Sequence, residues 1–354
     1  MKKSLVALAV LAASGAAMAQ SSVTMFGVLD VGIGHNSGSN QSVTGLTNGG
    51  LSTSRLGFRG VEDLGGGLRA GFWLEGGLNP DTGDGKKNGA TSGGLEFKRR
   101  STVSLIGANW GEVRLGRDNA ASYTNLLTFD PFGATGSGTL FKGNINGIDD
   151  RKNNTLSYFL PSNLGGFYGQ VQYILGEKAA GTTDSGDGYG VQGGYANGPL
   201  KVGAHYLKIK KGAMSDNAVA LTQDAETYGI GATYDFGIVK PFALWNEEKS
   251  KAVGSLSEVK YQSYLIGLTA PLGNGEVRFS YNDLDLKNSK NDSKKYAVGY
   301  VYNLSKRTAL YGTYAHISND GVATRKVAAG GLTSPSLTAG DSGDAYEFGI
   351  RHSF

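Results

Sequence analysis

Polar and apolar side chains alternate along the last nine residues of the chain. Tyr346, Phe348, Ile350, His352 and Phe354 share one face, and Glu347, Gly349, Arg351 and Ser353 share the other. Successive side chains of a strand point to opposite faces, so this pattern predicts a two-faced β-strand. The alternation recurs upstream. In Ser22–Gly34, Val23, Met25, Leu29, Val31 and Ile33 oppose Thr24 and Asp30. Leu56 and Phe58 oppose Arg55 and Arg59; Ala70, Phe72 and Leu74 oppose Arg69, Trp73 and Glu75. Leu156, Tyr158 and Leu160 oppose Asn153, Thr155 and Ser157. One face is therefore apolar, while the other carries arginines and carboxylates that require water.

Short breaks and long polar stretches separate these strands in regular succession. Turn-like breaks fall at Glu62–Gly67, Asn109–Glu112, Pro161–Gly166, Ala196–Pro199, Asp235–Gly237, Pro271–Gly275 and Asn303–Arg307. Between them lie longer stretches at 35–53, 77–97, 118–150, 176–187, 208–226, 246–260, 283–294 and 316–344. Seven hairpins joined by such turns, with a first and a last strand, predict sixteen strands.

The other end of the chain decides which side of the sheet meets what. Met1–Ala19 places Lys2 and Lys3 ahead of the apolar run Leu5–Ala13, then Ala17-Met18-Ala19 before Gln20. That is a charged head, a short apolar run and an A-x-A cleavage site, so residues 1–19 read as a cleaved export signal. Residues 20–354 then form a single transmembrane barrel domain. No segment after the signal approaches the apolar length of a membrane helix. A chain that spans lipid without such helices must close its sheet, because lipid satisfies no backbone hydrogen bonds. The expected fold is all-β: an antiparallel barrel in the outer membrane, with short periplasmic turns and long extracellular loops. On its lipid face a mid-bilayer arginine would cost about 2–4 kcal/mol, so the arginine-bearing face lines a lumen.

Composition agrees. Gly is 57 of 354 and Pro only 7, with 18 Tyr and no Cys, without the strict triplet period of collagen. Loss of Lys2 and Lys3 lowers the net charge from +4 to +2, which makes no case for nucleic acid. No His pair or Cys set has zinc-binding spacing. The four histidines, His35, His205, His316 and His352, stand at no spacing that marks a catalytic group. No catalytic residue, metal or cofactor is expected.

One connection is out of scale. Residues 118–150 lack strand patterning, yet they carry Tyr123, Leu126, Leu127, Phe129, Phe132, Leu140 and Phe141, which need something to pack on. Folding into the barrel against its inner wall satisfies them and makes this the constriction loop. An extracellular lid packed on neighbouring loops is the alternative.

At this point the chain resembles the trimeric general porins of Gram-negative outer membranes. The resemblance rests on Val23-Thr24-Met25-Phe26-Gly27-Val28-Leu29-Asp30, on Ser54-Arg55-Leu56-Gly57-Phe58-Arg59-Gly60-Val61-Glu62-Asp63-Leu64-Gly65, on Leu115-Gly116-Arg117 and on Gly349–Phe354. It implies a homotrimer and a third loop forming an eyelet that faces wall arginines. Those arginines map onto Arg55, Arg117 and, as a looser match, Arg151. The loop-tip motif appears as Asp130-Pro131-Phe132-Gly133-Ala134, with the acid before the proline. Asp130, Asp149 and Asp150 are the candidate acidic side. Strand alternation alone would turn Arg117 toward lipid, which implies that the chain leaves its strand by Gly116. Arg69, Glu75, Arg100 and Arg114 are further lumen candidates. The resemblance also makes Phe354 a signal to the barrel-assembly machinery, and lipopolysaccharide and outer-membrane lipids the surrounding partners. The expected function is passive diffusion of ions and small hydrophilic solutes, with weak anion preference. A substrate-selective channel and an adhesin-type structural barrel are the alternatives.

Overall fold

Backbone pairing between neighbouring strands, rather than an apolar interior, organises this chain. A computed structural model describes residues 22–85, 94–177, 186–211, 223–252 and 258–354; the export signal read in residues 1–19 lies outside them. The elements are β1 (Ser22–Ser37), β2 (Ser42–Asn48), β3 (Arg55–Gly65), β4 (Leu68–Asn79), the two-residue β5 (Asp84–Gly85), β6 (Arg100–Gly107) and β7 (Gly111–Asn119). Helix α1 (Ala121–Thr128) follows, then β8 (Arg151–Phe159), β9 (Phe167–Ile174), β10 (Gly188–Asn197), β11 (Leu200–Ile209) and β12 (Gln223–Tyr234). The last are β13 (Lys240–Ala252), β14 (Glu258–Leu272), β15 (Gly275–Leu286), β16 (Ser293–Asn303), β17 (Thr308–Asn319) and β18 (Ser342–Ser353).

These make one antiparallel barrel of sixteen strand positions. β2 and β3 share a position: both pair with β1, at Val31–Ser37 and Ser22–Val28 respectively. β5 pairs only with the end of β4. The barrel closes where β1 meets β18, with Val28–Ser37 against Asp344–Ser353. All seven short turns fall where the sequence places them. Several strands run further toward the long-loop end than alternation shows, β13 reaching Ala252 and β15 reaching Leu286. The faces follow the pattern as well. Val23, Met25, Ile33, Phe348 and Ile350 are exposed on the outside, while Asp30 and Glu347 are fully buried within.

The gap between β2 and β3 is a departure from the sequence reading. Residues 49–54 leave the sheet opposite Asp30, whose carboxylate accepts hydrogen bonds from the N–H of Leu51 (3.0 Å) and Ser52 (2.6 Å) and from the Tyr311 hydroxyl (2.6 Å). Ser54 Oγ and Asp30 N lie 2.9 Å apart, and Gly49 N donates to the Asp30 carbonyl at 3.0 Å. The excursion is thus clamped by one buried acid of β1.

Phe354 completes the closing seam. Its N–H and carbonyl pair with the carbonyl and N–H of Gly27, each at 3.1 Å, and a Cβ on Gly27 would stand 2.3 Å from its ring. Only glycine admits the ring there. Gly27→Val should therefore destabilise the barrel by about 1–3 kcal/mol through overpacking, read as a lower unfolding temperature of the heat-modifiable band on electrophoresis. An unchanged transition would show that the ring has another resting place.

Candidate functional site

The long third loop lies inside the barrel. α1 runs along the inner faces of β10, β11 and β12. Its start is tied to β9: Ala121 N–H donates to Gln172 Oε1 (3.2 Å), and Gln172 Nε2 donates to the Asn119 carbonyl (3.0 Å). Past the helix, Phe129, Pro131 and Phe132 seat on glycines of the wall. A Cβ on Gly231 would stand 2.4 Å from the Phe129 ring, and one on Gly267 would stand 2.6 Å from Pro131. The apolar loop residues thus pack on the wall with Leu207, Phe242, Leu244 and Leu265.

Polar wall residues hold the rest of the loop. Glu248 of β13 accepts the N–H groups of Gly143 (3.0 Å), Asn144 (2.6 Å) and Ile145 (3.1 Å). Glu347 of β18 accepts Ser137 N–H and O–H, both at 2.9 Å, and the N–H of Gly330 (2.8 Å) from the last loop. Lys295 of β16 donates to the Thr139 carbonyl.

Across the lumen, on the wall from β3 to β8, two arginines share one acid and a third lies beside them. Glu75 Oε1 lies 2.6 Å from Arg99 Nε and 3.5 Å from Arg55 Nη1, and Trp73 Nε1 donates to Glu75 Oε2 at 3.1 Å. Arg55 Nη2 also donates to Ser52 Oγ (2.6 Å), on the excursion clamped by Asp30. Arg151 Nε donates to the Arg99 carbonyl (2.9 Å), and its guanidinium lies 5.8 Å from the centre of the Tyr123 ring. Two lumen cavities of about 300 and about 450 Å³ share Thr53, Arg99, Tyr123 and Arg151. Three guanidiniums against one carboxylate leave the group positive.

Several sequence-derived placements change here. Arg117 does not leave its strand. β7 continues to Asn119, pairing Arg117 in unbroken register with Ser101 of β6, while against β8 the register shifts between Gly116, whose φ is +123°, and Asp118. The Arg117 guanidinium donates to the Lys98 carbonyl (2.5 Å) and to Asn153 Oδ1 (2.6 Å), so it borders the larger cavity without joining the Glu75 group. Asp130 does not face the arginines. It is buried and accepts the N–H groups of Phe132 (2.9 Å), Ala134 (2.9 Å) and Leu140 (3.0 Å), folding the loop on itself. Asp149 pairs with Lys152 at 3.0 Å, and Asp150 takes both oxygens to Lys142, at 2.6 and 2.7 Å. Asp130 is therefore spent within the loop, whereas Asp149 and Asp150, though paired with lysines, line the larger cavity with Arg99, Arg117 and Arg151; the acid bonded directly to the arginines is the wall's Glu75.

The remaining candidates sit elsewhere on the inner wall. Arg114 grips Glu112 with Nε and Nη2 (2.8 and 2.9 Å) and reaches Asp118 with Nη1 (2.6 Å). Arg100 lies 3.8 Å from Asp118 and 4.5 Å from the centre of the Trp73 ring. Arg69 is exposed beside the turn between β3 and β4. Arg99 was not singled out by the sequence, because it precedes β6 and the two-residue period does not govern it. The adjacent pair Arg99-Arg100 at a strand start is the signal that was there to be read.

A barrel with an inward third loop and an arginine-lined lumen is the architecture of a diffusion pore. A family model described as Gram-negative porin matches residues 4–322. The chain belongs to the Gram-negative porin family. Over the full length of both chains this porin is 45% identical to outer membrane porin protein 32 of Delftia acidovorans. It is 33% identical to an outer membrane porin protein of Bordetella pertussis, over 89% of this chain and 94% of that one. Among solved structures, an anion-selective porin from Comamonas acidovorans superposes with a TM-score of 0.82 at 39% identity, covering 95% of this porin and all of the other. The porin is an outer-membrane channel, its strands crossing the bilayer around a water-filled lumen.

The loop anchors make a direct test. Glu248→Ala leaves three loop N–H groups without their acceptor, and each such buried donor costs about 1–3 kcal/mol. The loop should loosen, giving noisier single-channel current and faster amide exchange at 143–145. Quiet channels with unchanged exchange would show that Glu248 does not hold the loop.

Proposed function

We propose that this porin is an anion-preferring channel for small hydrophilic solutes, with Arg55, Arg99 and Arg151 as the basic side of its constriction and residues 118–150 as the constriction loop. The observation that carries this reading is that Arg55 and Arg99 share the single carboxylate of Glu75 with Arg151 bound to the Arg99 carbonyl beside them, while Asp130 is turned into the loop and Asp149 and Asp150 are each paired with a lysine. A positive group in a narrow passage with low-dielectric walls focuses the potential on passing ions. At physiological salt the screening length is about 8 Å, so charges across such a passage still act on the ion between them. Below the constriction the lumen face adds Arg59, Lys201 and Lys240, the last two each two residues from wall positions that meet the loop, Gly203 and Phe242. The anion selectivity named for the Comamonas structure points the same way.

Replacing Arg55, Arg99 and Arg151 together by Gln should move the reversal potential under a KCl gradient from anion preference toward cation preference, with conduction retained. A triple variant with wild-type reversal potential would mean that the arginines are solvated wall residues.

The same reading makes residues 1–19 a cleaved export signal, the assembled unit a homotrimer amid lipopolysaccharide, and Phe354 a residue read by the assembly machinery. Deleting Phe354 should lower assembled trimer in the outer membrane more than it lowers synthesis. Equal trimer yield at matched expression would count against that role.

A further inference from the structure

On the periplasmic side of the arginine group, the lumen wall holds an alcove of about 380 Å³ that the constriction does not use. Gly71, with no side chain, leaves it open, and Val61 and Ile106 supply apolar walls. A Cβ on Gly71 would meet Ile106 Cδ1 at 3.5 Å and the Gly60 carbonyl oxygen at 3.7 Å, both ordinary contacts. The space is a missing side chain in an otherwise regular strand. Cations and an indole line its other side. The guanidiniums of Arg59 and Arg100 lie 5.0 and 4.5 Å from the centre of the Trp73 ring, and Arg59 also lies 5.2 Å from that of Phe26.

The charges are unequal in what they have left to give. Glu112, at the alcove's edge, is gripped by Arg114 through two nitrogens, and Arg100 shares Asp118 with Arg114. Arg59 has no carboxylate within ion-pair distance among the described residues. A charge held against an aromatic face and next to an apolar recess can meet a solute that carries one anionic group and one apolar body.

We propose that this alcove is a weak subsite for carboxylates with an apolar body, held by Arg59 at the carboxylate and received by the Gly71 recess at the body. The inference rests on the anion-channel reading and gives it a preferred solute class. A bare halide gains from the charge alone. A ring-bearing carboxylate gains from both, and burying roughly 40 Å² of its apolar surface favours it by about fivefold. Binding of this strength slows a solute without trapping it, as conduction requires.

The test compares benzoate with acetate, each added to single channels conducting chloride in planar bilayers. Benzoate should reduce chloride current at about one-fifth the concentration that acetate needs. Gly71→Val fills the recess without changing charge and should erase this difference while leaving the KCl reversal potential unchanged. Arg59→Gln should weaken block by both carboxylates. Equal block by benzoate and acetate in the native channel overturns the subsite, as does a benzoate advantage that survives Gly71→Val. A native channel without anion preference that keeps a recess-dependent benzoate block overturns the channel reading and leaves the subsite standing.

Discussion

A loop inside a barrel carries backbone N–H groups that no strand satisfies, and the lumen of this porin is arranged around that constraint. Glu248 takes three of them and Glu347 takes one from each of two loops, while Asp130 gathers three more within the third loop itself. Asp30 does the same for the excursion between β2 and β3. Buried polar groups are costly when unpaired and specific when paired. These four carboxylates therefore fix where the loops lie, and they are acids that the passing ion does not meet.

In the proposed channel that division of labour shapes the charge of the passage. With Asp130, Glu248 and Glu347 turned to backbone, and Asp149 and Asp150 matched by Lys152 and Lys142, the proposed channel takes its field from the wall opposite the loop. Glu75 both balances and orders Arg55 and Arg99, holding Arg99 closely and Arg55 more loosely through the same oxygen. Ser52 adds a neutral hold on Arg55 from a segment that Asp30 clamps. Arginine position is thus inherited from loop position two steps removed.

How much of this was legible in the sequence follows from the range of each interaction. Alternation is local, so the barrel, the seven turns, the outward face of Tyr346–Ile350 and the inward faces of Arg55, Glu75, Arg100 and Arg114 could be read directly. Arg117 stayed in its strand where alternation demanded an escape, because its guanidinium finds the Lys98 carbonyl and Asn153 near the strand end, and the register shift beside it falls against β8 without ending the pairing. The fates of Asp130, Asp149 and Asp150 depended on partners chosen by the folded loop, which no spacing reveals. Arg99 lay just outside a strand, where the periodic rule has nothing to say. The eight-residue helix α1 has neither the length nor an N-cap side chain to announce itself.

The wall glycines under Phe129 and Pro131 place the loop on the side from β9 to β18 and leave the side from β3 to β8 bare. The passage is consequently eccentric, a crescent whose two banks answer to different demands. On the covered bank a larger side chain dislodges the loop, so those positions have little freedom. On the bare bank a substitution alters what the stream feels and leaves the masonry in place. Such a molecule can change its diet without relearning how to fold.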